Sequence, residues 1–267
     1  MKNLLFSVII PTYNQSQYLE KALSSVINQK YNNFEIIVID NYSVDKTEEI
    51  VKKFKNNKIK YLKKKNYGVI GLSRNEGIKI STGEWIAFLD SDDIWYENKL
   101  EEINKFLQIN SNVDVITNDE KIININTNRK SIWKYGPYSK DFYKKLLSEG
   151  NCLSTSATLV KRSFIYNNNI FFSEKKDFAT VEDYDFFLNL ALKNARFSFF
   201  HKVLGEHLFH DQSESSNFKK YQSAYNALID YHVNEVQKFT KNKNRLRKKL
   251  DLHLQLMKVG RKLKIEK

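Results

Sequence analysis

Only one cysteine, Cys152, occurs in 267 residues. That excludes an internal disulfide framework and suits a reducing compartment. No histidine stands near it in sequence, so Cys152 is read as a small buried residue and not as a nucleophile. Two prolines and eight glycines exclude a collagenous or low-complexity chain and a turn-dense all-β one. No stretch approaches the roughly 20 apolar residues that a membrane span requires. The opening "MKNLLFSVIIPTYN" is interrupted by Pro11 and Asn14, with no small-residue cleavage site after it, so it is not read as a secretory signal. Glycine loops that cradle phosphates are missing too: neither GxxxxGK(S/T) nor GxGxxG occurs. A nucleotide bound here needs another means of neutralising its phosphates, and a divalent metal held by carboxylates is the obvious substitute.

What is present is a large apolar and aromatic supply. The chain is 41% hydrophobic and carries 18 Phe and 15 Tyr, enough for one sizeable domain with or without an appendage. The net charge of +13 is unevenly placed. Residues 238–267 hold twelve Lys/Arg against Asp251 and Glu266, a net of +10, which leaves +3 for the other 237 residues.

The first half alternates strand and helix. "LLFSVII" (4–10) reads as a strand ending at Pro11, and "FEIIVID" (34–40) as one buried on both faces. Leu19, Ala22, Leu23, Val26 and Ile27 make one helical face between them. Asp45 with Glu48 reads as an N-cap pair for a helix through Phe54. "IKYL" (59–62), a helix over 72–80, "WIAFLD" (85–90), a helix over 97–108 and "VDVITND" (113–119) follow. This spacing implies an α/β fold with a doubly wound, mostly parallel sheet, whose ligands collect at the carboxyl ends of the strands. Asp40 and Asp90 each end a predicted strand and should share that crevice. Later come a loop or hairpin over 120–140, a helix over 140–148, strands at 156–160 and 196–200, a helix over 181–193 and a helical pattern from 217 onward.

"LDSDDIW" (89–95) concentrates the chemistry. Asp90 and Asp92, at i and i+2, put two carboxylates on one side of an extended turn, a donor set suited to Mn²⁺ or Mg²⁺. Asp93 points elsewhere and reads as a cap for the next helix. Taken alone, the three acids are better read as a turn and a cap.

Four segments in this order and spacing resemble the family 2 glycosyltransferases: "SVIIPTYNQSQYLEKALSSVINQ" (7–29), "EIIVIDNYSVDKT" (35–47), "NYGVIGLSRNEGIKISTGEWIAFLDSDD" (66–93) and "VEDYDFFLNLAL" (181–192). The resemblance covers roughly residues 4–216. It implies the GT-A fold: a nucleotide-sugar-binding half (1–119), an acceptor-binding half (120–216) and a C-terminal helical extension (217–267). It also implies a metal-dependent, inverting transfer from a nucleotide-sugar donor, most readily a UDP-sugar, to a saccharide or lipid-linked acceptor in bacterial surface glycan assembly. By resemblance, Pro11, Thr12 and Tyr13 line the nucleotide pocket and Asp40 accepts a hydrogen bond from the base. Arg74 lies near the diphosphate, Asp90, Ser91 and Asp92 hold the ribose and the metal, and Asp183 is the base, with Glu182 as its alternative. An acidic first turn favoured by the helix dipole is the other reading of "EDYD". His210, Ser213 and Ser215 match a closing H-x-x-S-x-S pattern; His210 is read as a third metal ligand, a phosphate contact or a packing residue. Asn41 and Leu208 depart from the family pattern, which often has Asp and Arg there. "NCLSTSATLVKR" (151–162) resembles the segment that lines the acceptor site.

In the tail, Leu246, Leu250, Leu254 and Met257 form a stripe flanked by Lys and Arg, the pattern of a cationic amphipathic helix on an anionic membrane. The expected location is cytoplasmic and peripheral, at the inner face of the cell membrane. Packing on the body or oligomerisation are the other readings of this helix. Nucleic acid is not an expected partner, because the tail has one aromatic residue, Phe239, beside its charges and not an interleaved series that could form a stacking platform. Two other function classes fit parts of the pattern: metal-dependent nucleotidyl transfer, and a non-enzymatic basic scaffold.

Overall fold

The computed structural model describes residues 3–210 and 217–236. β1 (Phe6–Thr12) and β2 (Phe34–Asp40) are buried at every position, as strands covered on both faces must be. Between them runs α1 (Ser16–Ile27), with Leu19, Ala22, Leu23 and Val26 buried. Next come α2 (Thr47–Lys53), β3 (Ile59–Lys63), α3 (Ile70–Ile80), β4 (Trp85–Phe88), β5 (Ile94–Trp95) and α4 (Lys99–Ile109). The later elements are β6 (Val115–Asn124), β7 (Arg129–Trp133), α5 (Phe142–Glu149), β8 (Thr158–Lys161), α6 (Arg162–Asn167), α7 (Glu182–Leu192), β9 (Phe197–Phe209) and α8 (Phe218–Tyr231). A π-helical turn, His232–Val236, continues α8.

Among the described residues the strands form one sheet, in the order β3-β2-β1-β4-β8-β6-β9-β5, with β7 beside β6. The expected parallel pairing holds for β3, β2, β1 and β4 and again for β6 with β9. β8 runs antiparallel to both β4 and β6, and β5 and β7 are antiparallel to their neighbours. The sheet crosses the 119/120 boundary inside β6. Alternate residues of β1 feed two cores: Phe6, Val8 and Ile10 pack with α1 and α4, while Ile9 faces α3, α5, α7 and α8. Through Tyr225, Leu228, Ile229 and Val233, residues 217–236 therefore belong to the main core. The amphipathic tail (238–267), Ser213 and Ser215 lie outside the described residues.

β1 continues through Pro11 instead of ending before it. Its pairing with β4 stops at Ile9, whereas its pairing with β2 continues to Thr12. Beyond Ile9 it is thus an edge on one side, where a residue without an N–H is tolerated. Asp45 is not the N-cap residue of α2, which is Lys46 with no side-chain cap, and Glu48 pairs with Lys52 and Lys63 instead of closing a box. The Asp45 carboxylate accepts from Thr47 N at the start of α2 (3.1 Å) and from Ser16 N at the start of α1 (2.9 Å).

α3 is held tightly on both sides. A Cβ at Gly77 would lie 2.4 Å from Ile9 Cγ2, and one at Gly71 2.6 Å from Ser173 O. These two glycines let the helix wedge between β1 and the segment before α7. Arg74, between them in sequence, is carried into the interior at 3% exposure.

Candidate active site

The carboxyl ends of β1 and β2 converge as expected, with Thr12 opposite Asp40 in the register. Pro11 and Thr12 are buried and Tyr13 stands exposed at the rim. Thr12 Oγ1 has no hydrogen-bond partner among the described residues, so it is a donor or acceptor available to a ligand. Asp40 is fully buried. Its Oδ1 accepts from Ser43 N (2.9 Å) and Ser43 Oγ (2.5 Å), and its Oδ2 from Tyr61 Oη (2.6 Å). In this geometry the carboxylate organises the turn after β2 from beneath and presents no exposed oxygen to the crevice.

Arg74 joins the two acidic motifs. One terminal nitrogen donates to Asp90 Oδ1 (2.7 Å) and the other to Glu182 Oε1 (2.7 Å), with the guanidinium 5.2 Å from the Phe172 ring centroid. The diphosphate neighbour expected from sequence is thus a buried strut with two carboxylate partners. Burial works against its charge, but Asp90 and Glu182 outweigh it and raise its pKa. Burial likewise opposes ionisation of Asp90, and Arg74 more than compensates, holding that carboxyl below its ordinary range. Thr155 Oγ1 donates to the other oxygen of Asp90 (3.1 Å). Ser91 hydrogen-bonds Gln15.

Asp92 and His210 meet directly, Oδ2 to Nε2, at 3.0 Å. The His210 ring is buried and stacks on Tyr18 (centroids 4.6 Å apart, planes 15° apart). An adjacent carboxylate oxygen and imidazole nitrogen suit a divalent ion that takes its remaining ligands from a substrate. Among the described residues no group of three or more His, Cys, Asp or Glu has metal-holding geometry; a site with two protein donors completed by phosphate oxygens is consistent with that. Asp90, expected as a further ligand, is instead engaged by Arg74 and Thr155.

Asp93 is not a helix cap. It is 1% exposed and accepts from Ser156 Oγ (2.5 Å) and Leu208 N (3.0 Å), with His207 Nδ1 at 3.0 Å. α4 begins instead at Asn98, with no side-chain cap. Burial opposes the charge on His207, but Asp93 outweighs it and raises the pKa of the imidazole to about 10.

At the start of α7 the two candidate bases separate. Glu182 has both oxygens engaged, by Arg74 and by Thr180 N (3.0 Å). Asp183 receives a long contact from Asn151 Nδ2 (3.4 Å). Burial first, then the charge of Glu182, push Asp183 up to about 7. A carboxylate with that pKa is poised to accept a proton near neutral pH. Asn151, Thr155 and Ser156, which reach the two acidic motifs, lie in the segment whose resemblance is to an acceptor-site lining, and sequence assigned none of them an individual role.

The sequence model for Glycosyl transferase family 2 matches residues 7–167. The UDP-Glc:alpha-D-GlcNAc-diphosphoundecaprenol beta-1,3-glucosyltransferase WfgD of Escherichia coli is 31% identical over 243 residues, covering 88% of this chain and 90% of that protein. Coverage is not always so full: the chain spans 33% of an uncharacterized glycosyltransferase of Rickettsia bellii, at 30% identity. Among solved structures, TarS 1-349 of S. aureus in complex with UDP-GlcNAc superposes with a TM-score of 0.66 at 24% identity, covering 91% of this chain and 70% of that one. The mannosyltransferase PcManGT of Pyrobaculum calidifontis, in complex with GDP-Man and Mn²⁺, gives 0.61 at 17% identity, covering 84% and 64%. Both likenesses are of fold, the GT-A arrangement of a mixed sheet flanked by helices.

Proposed function

The chain belongs to Glycosyl transferase family 2, and from that premise we propose that it moves a sugar from a UDP-sugar to a hydroxyl of a saccharide or lipid-linked saccharide, with inversion. The observation that carries this reading is the Asp90–Arg74–Glu182 bridge. It joins the loop bearing Asp92 to the helix bearing Asp183, so that a phosphate-side pair and a proton acceptor flank one cleft.

Asp183 takes the proton of the acceptor hydroxyl as its oxygen forms the new bond to the anomeric carbon. The bond from that carbon to the diphosphate oxygen breaks, and the nucleoside diphosphate leaves with the bonding pair. Attack from the face opposite the diphosphate inverts the configuration. Asp92 and His210 would hold Mn²⁺ or Mg²⁺, which when bound supplies charge neutralisation to the leaving diphosphate. Thr12 and Tyr13 would line the nucleotide pocket, with Ser91 beside it. Arg74 would keep Asp90 and Glu182 fixed without touching the donor. The UDP assignment draws support from the donor in the name of WfgD and from the ligand bound to TarS. Binding and hydrolysis across UDP-, GDP- and TDP-sugars with Mn²⁺ test it, and preference for a GDP- or TDP-sugar would overturn it. Asp92→Ala is expected to remove the Mn²⁺-dependent part of UDP affinity in calorimetry. If that part survives intact, Asp92 is not a ligand.

The basic tail supports a place at an anionic membrane, where a lipid-linked acceptor would reside. Among the described residues no helix is long and apolar enough to cross a membrane, so association would be peripheral. Each Lys or Arg near such a surface contributes about 1 kcal/mol. Deleting 238–267 is therefore expected to abolish co-sedimentation with anionic vesicles while transfer to a water-soluble acceptor persists. Co-sedimentation unchanged by the deletion would remove the tail from this role.

A further inference from the structure

Three carboxylates within four residues repel one another, so the shape of the 90–93 loop must be imposed from outside. Its fully buried organiser is Ser156, two residues before β8. Ser156 Oγ accepts from Asp90 N (3.1 Å) and donates to Asp93 Oδ2 (2.5 Å), so a single hydroxyl spans the loop from its first residue to its last. Ser156 itself is anchored through its carbonyl oxygen, which accepts from Trp95 Nε1 (2.8 Å) and Lys99 Nζ (2.7 Å). Lys99 is fully buried, and burial brings its pKa down to about 7.

The other side of Asp93 reaches the end of β9. Leu208 N donates to Oδ1, and His207 Nδ1 lies beside Oδ2, both at 3.0 Å. His210 follows Leu208 by two residues and meets Asp92, the neighbour of Asp93, at 3.0 Å. Asp92 and His210 are 118 residues apart in sequence, so their proximity depends on noncovalent contacts. The Ser156–Asp93–Leu208 chain is a short, buried connection between the two segments that carry them.

We propose that Ser156 and Asp93 form a positioning strut that sets the spacing of Asp92 and His210, and thereby the affinity for a divalent ion in the presence of a nucleoside diphosphate. The inference rests on the reading of Asp92 and His210 as the metal-holding pair. Neither Ser156 nor Asp93 touches the ion; each acts through the residues it holds. Outer partners of this kind typically change metal affinity by about 10–100-fold when removed.

The test is Mn²⁺ binding, followed by electron paramagnetic resonance on the full chain with saturating UDP and no acceptor. Ser156→Ala is expected to weaken Mn²⁺ binding by about 10–100-fold while UDP affinity without metal stays unchanged. Transfer activity should recover as Mn²⁺ is raised, a rescue that general loosening of the fold does not produce. His207→Gln provides a second route if Ser156→Ala does not fold. The His207 side chain is 30% exposed, so its replacement is tolerated more readily, and it loosens Asp93 from the β9 side with the same expected direction. Unchanged Mn²⁺ affinity in the variants, or metal-free UDP binding lost in parallel with Mn²⁺ binding, overturns the strut. If the unsubstituted protein binds no Mn²⁺ with UDP, the metal reading itself fails, an outcome distinct from a variant that matches an Mn²⁺-binding parent.

Discussion

Asp183→Asn is expected to lower kcat by about 10²–10⁴-fold, the usual contribution of a positioned general base, with UDP-sugar affinity unchanged. The amide keeps the size of the carboxylate and cannot take the proton. Glu182 cannot readily replace it, because Arg74 and Thr180 N already engage both of its oxygens. Stopped-assay kinetics beside equilibrium binding of the donor make the measurement, and transfer persisting in the variant would falsify the assignment. The pH profile adds an independent check. With Asp183 near 7, kcat/KM should fall about tenfold per pH unit below that value as the base becomes protonated. Stability runs the other way. The folded-state pKa lies above the ordinary 3.8, so between about pH 4 and 7 the folded chain retains a proton that the unfolded chain releases. Asp183 therefore makes the fold less stable as pH rises through that window, and Asp183→Asn should flatten that slope.

Arg74→Met is expected to cost about 3–5 kcal/mol of stability, the penalty for removing one partner of a buried charge network. Asp90 and Glu182 would both lose a 2.7 Å charged hydrogen bond, and two acids already near Asp183 would remain uncompensated. Urea denaturation gives the magnitude. Arg74→Lys should recover only part of it, since one ammonium lacks the planar fork that serves two carboxylates. Full recovery with Lys would mean that charge alone, without the bridging geometry, holds the motifs together. Loss of transfer should accompany the loss of stability, because the bridge sets where the Asp92 loop lies relative to Asp183.

Local pattern made the donor half legible. Continuous apolar runs announced β1 and β2, the spacing from Leu19 to Val26 announced α1, and carboxylates at strand ends announced the crevice. The motif resemblance singled out both Asp92 and His210, which the structure brings within 3.0 Å of each other. What remained hidden depends on distant pairing. β9 runs for 13 residues, yet only "RFSFF" read as a strand, since "HKVLGEHLF" mixes charged and apolar positions. Antiparallel β8 leaves no periodic mark of its direction. Asp93 read as a cap because its true partners, Ser156, His207 and Leu208, lie 63 to 115 residues away. The resemblance put Arg74 near the diphosphate without disclosing its two carboxylate partners, because sequence carries no sign that Gly71 and Gly77 draw its helix inward.

The place of β9 in the sheet also sets an order of events during synthesis. β3, β2, β1 and β4 come entirely from the first 88 residues, so a nascent chain can assemble that parallel unit early. Asp92 then waits for His210, and Asp93 for Leu208, until more than a hundred further residues have left the ribosome and β9 has docked between β6 and β5. Until then the acidic loop is without its late partners. The Asp92–His210 pair is thereby confined to chains in which residue 210 has left the ribosome.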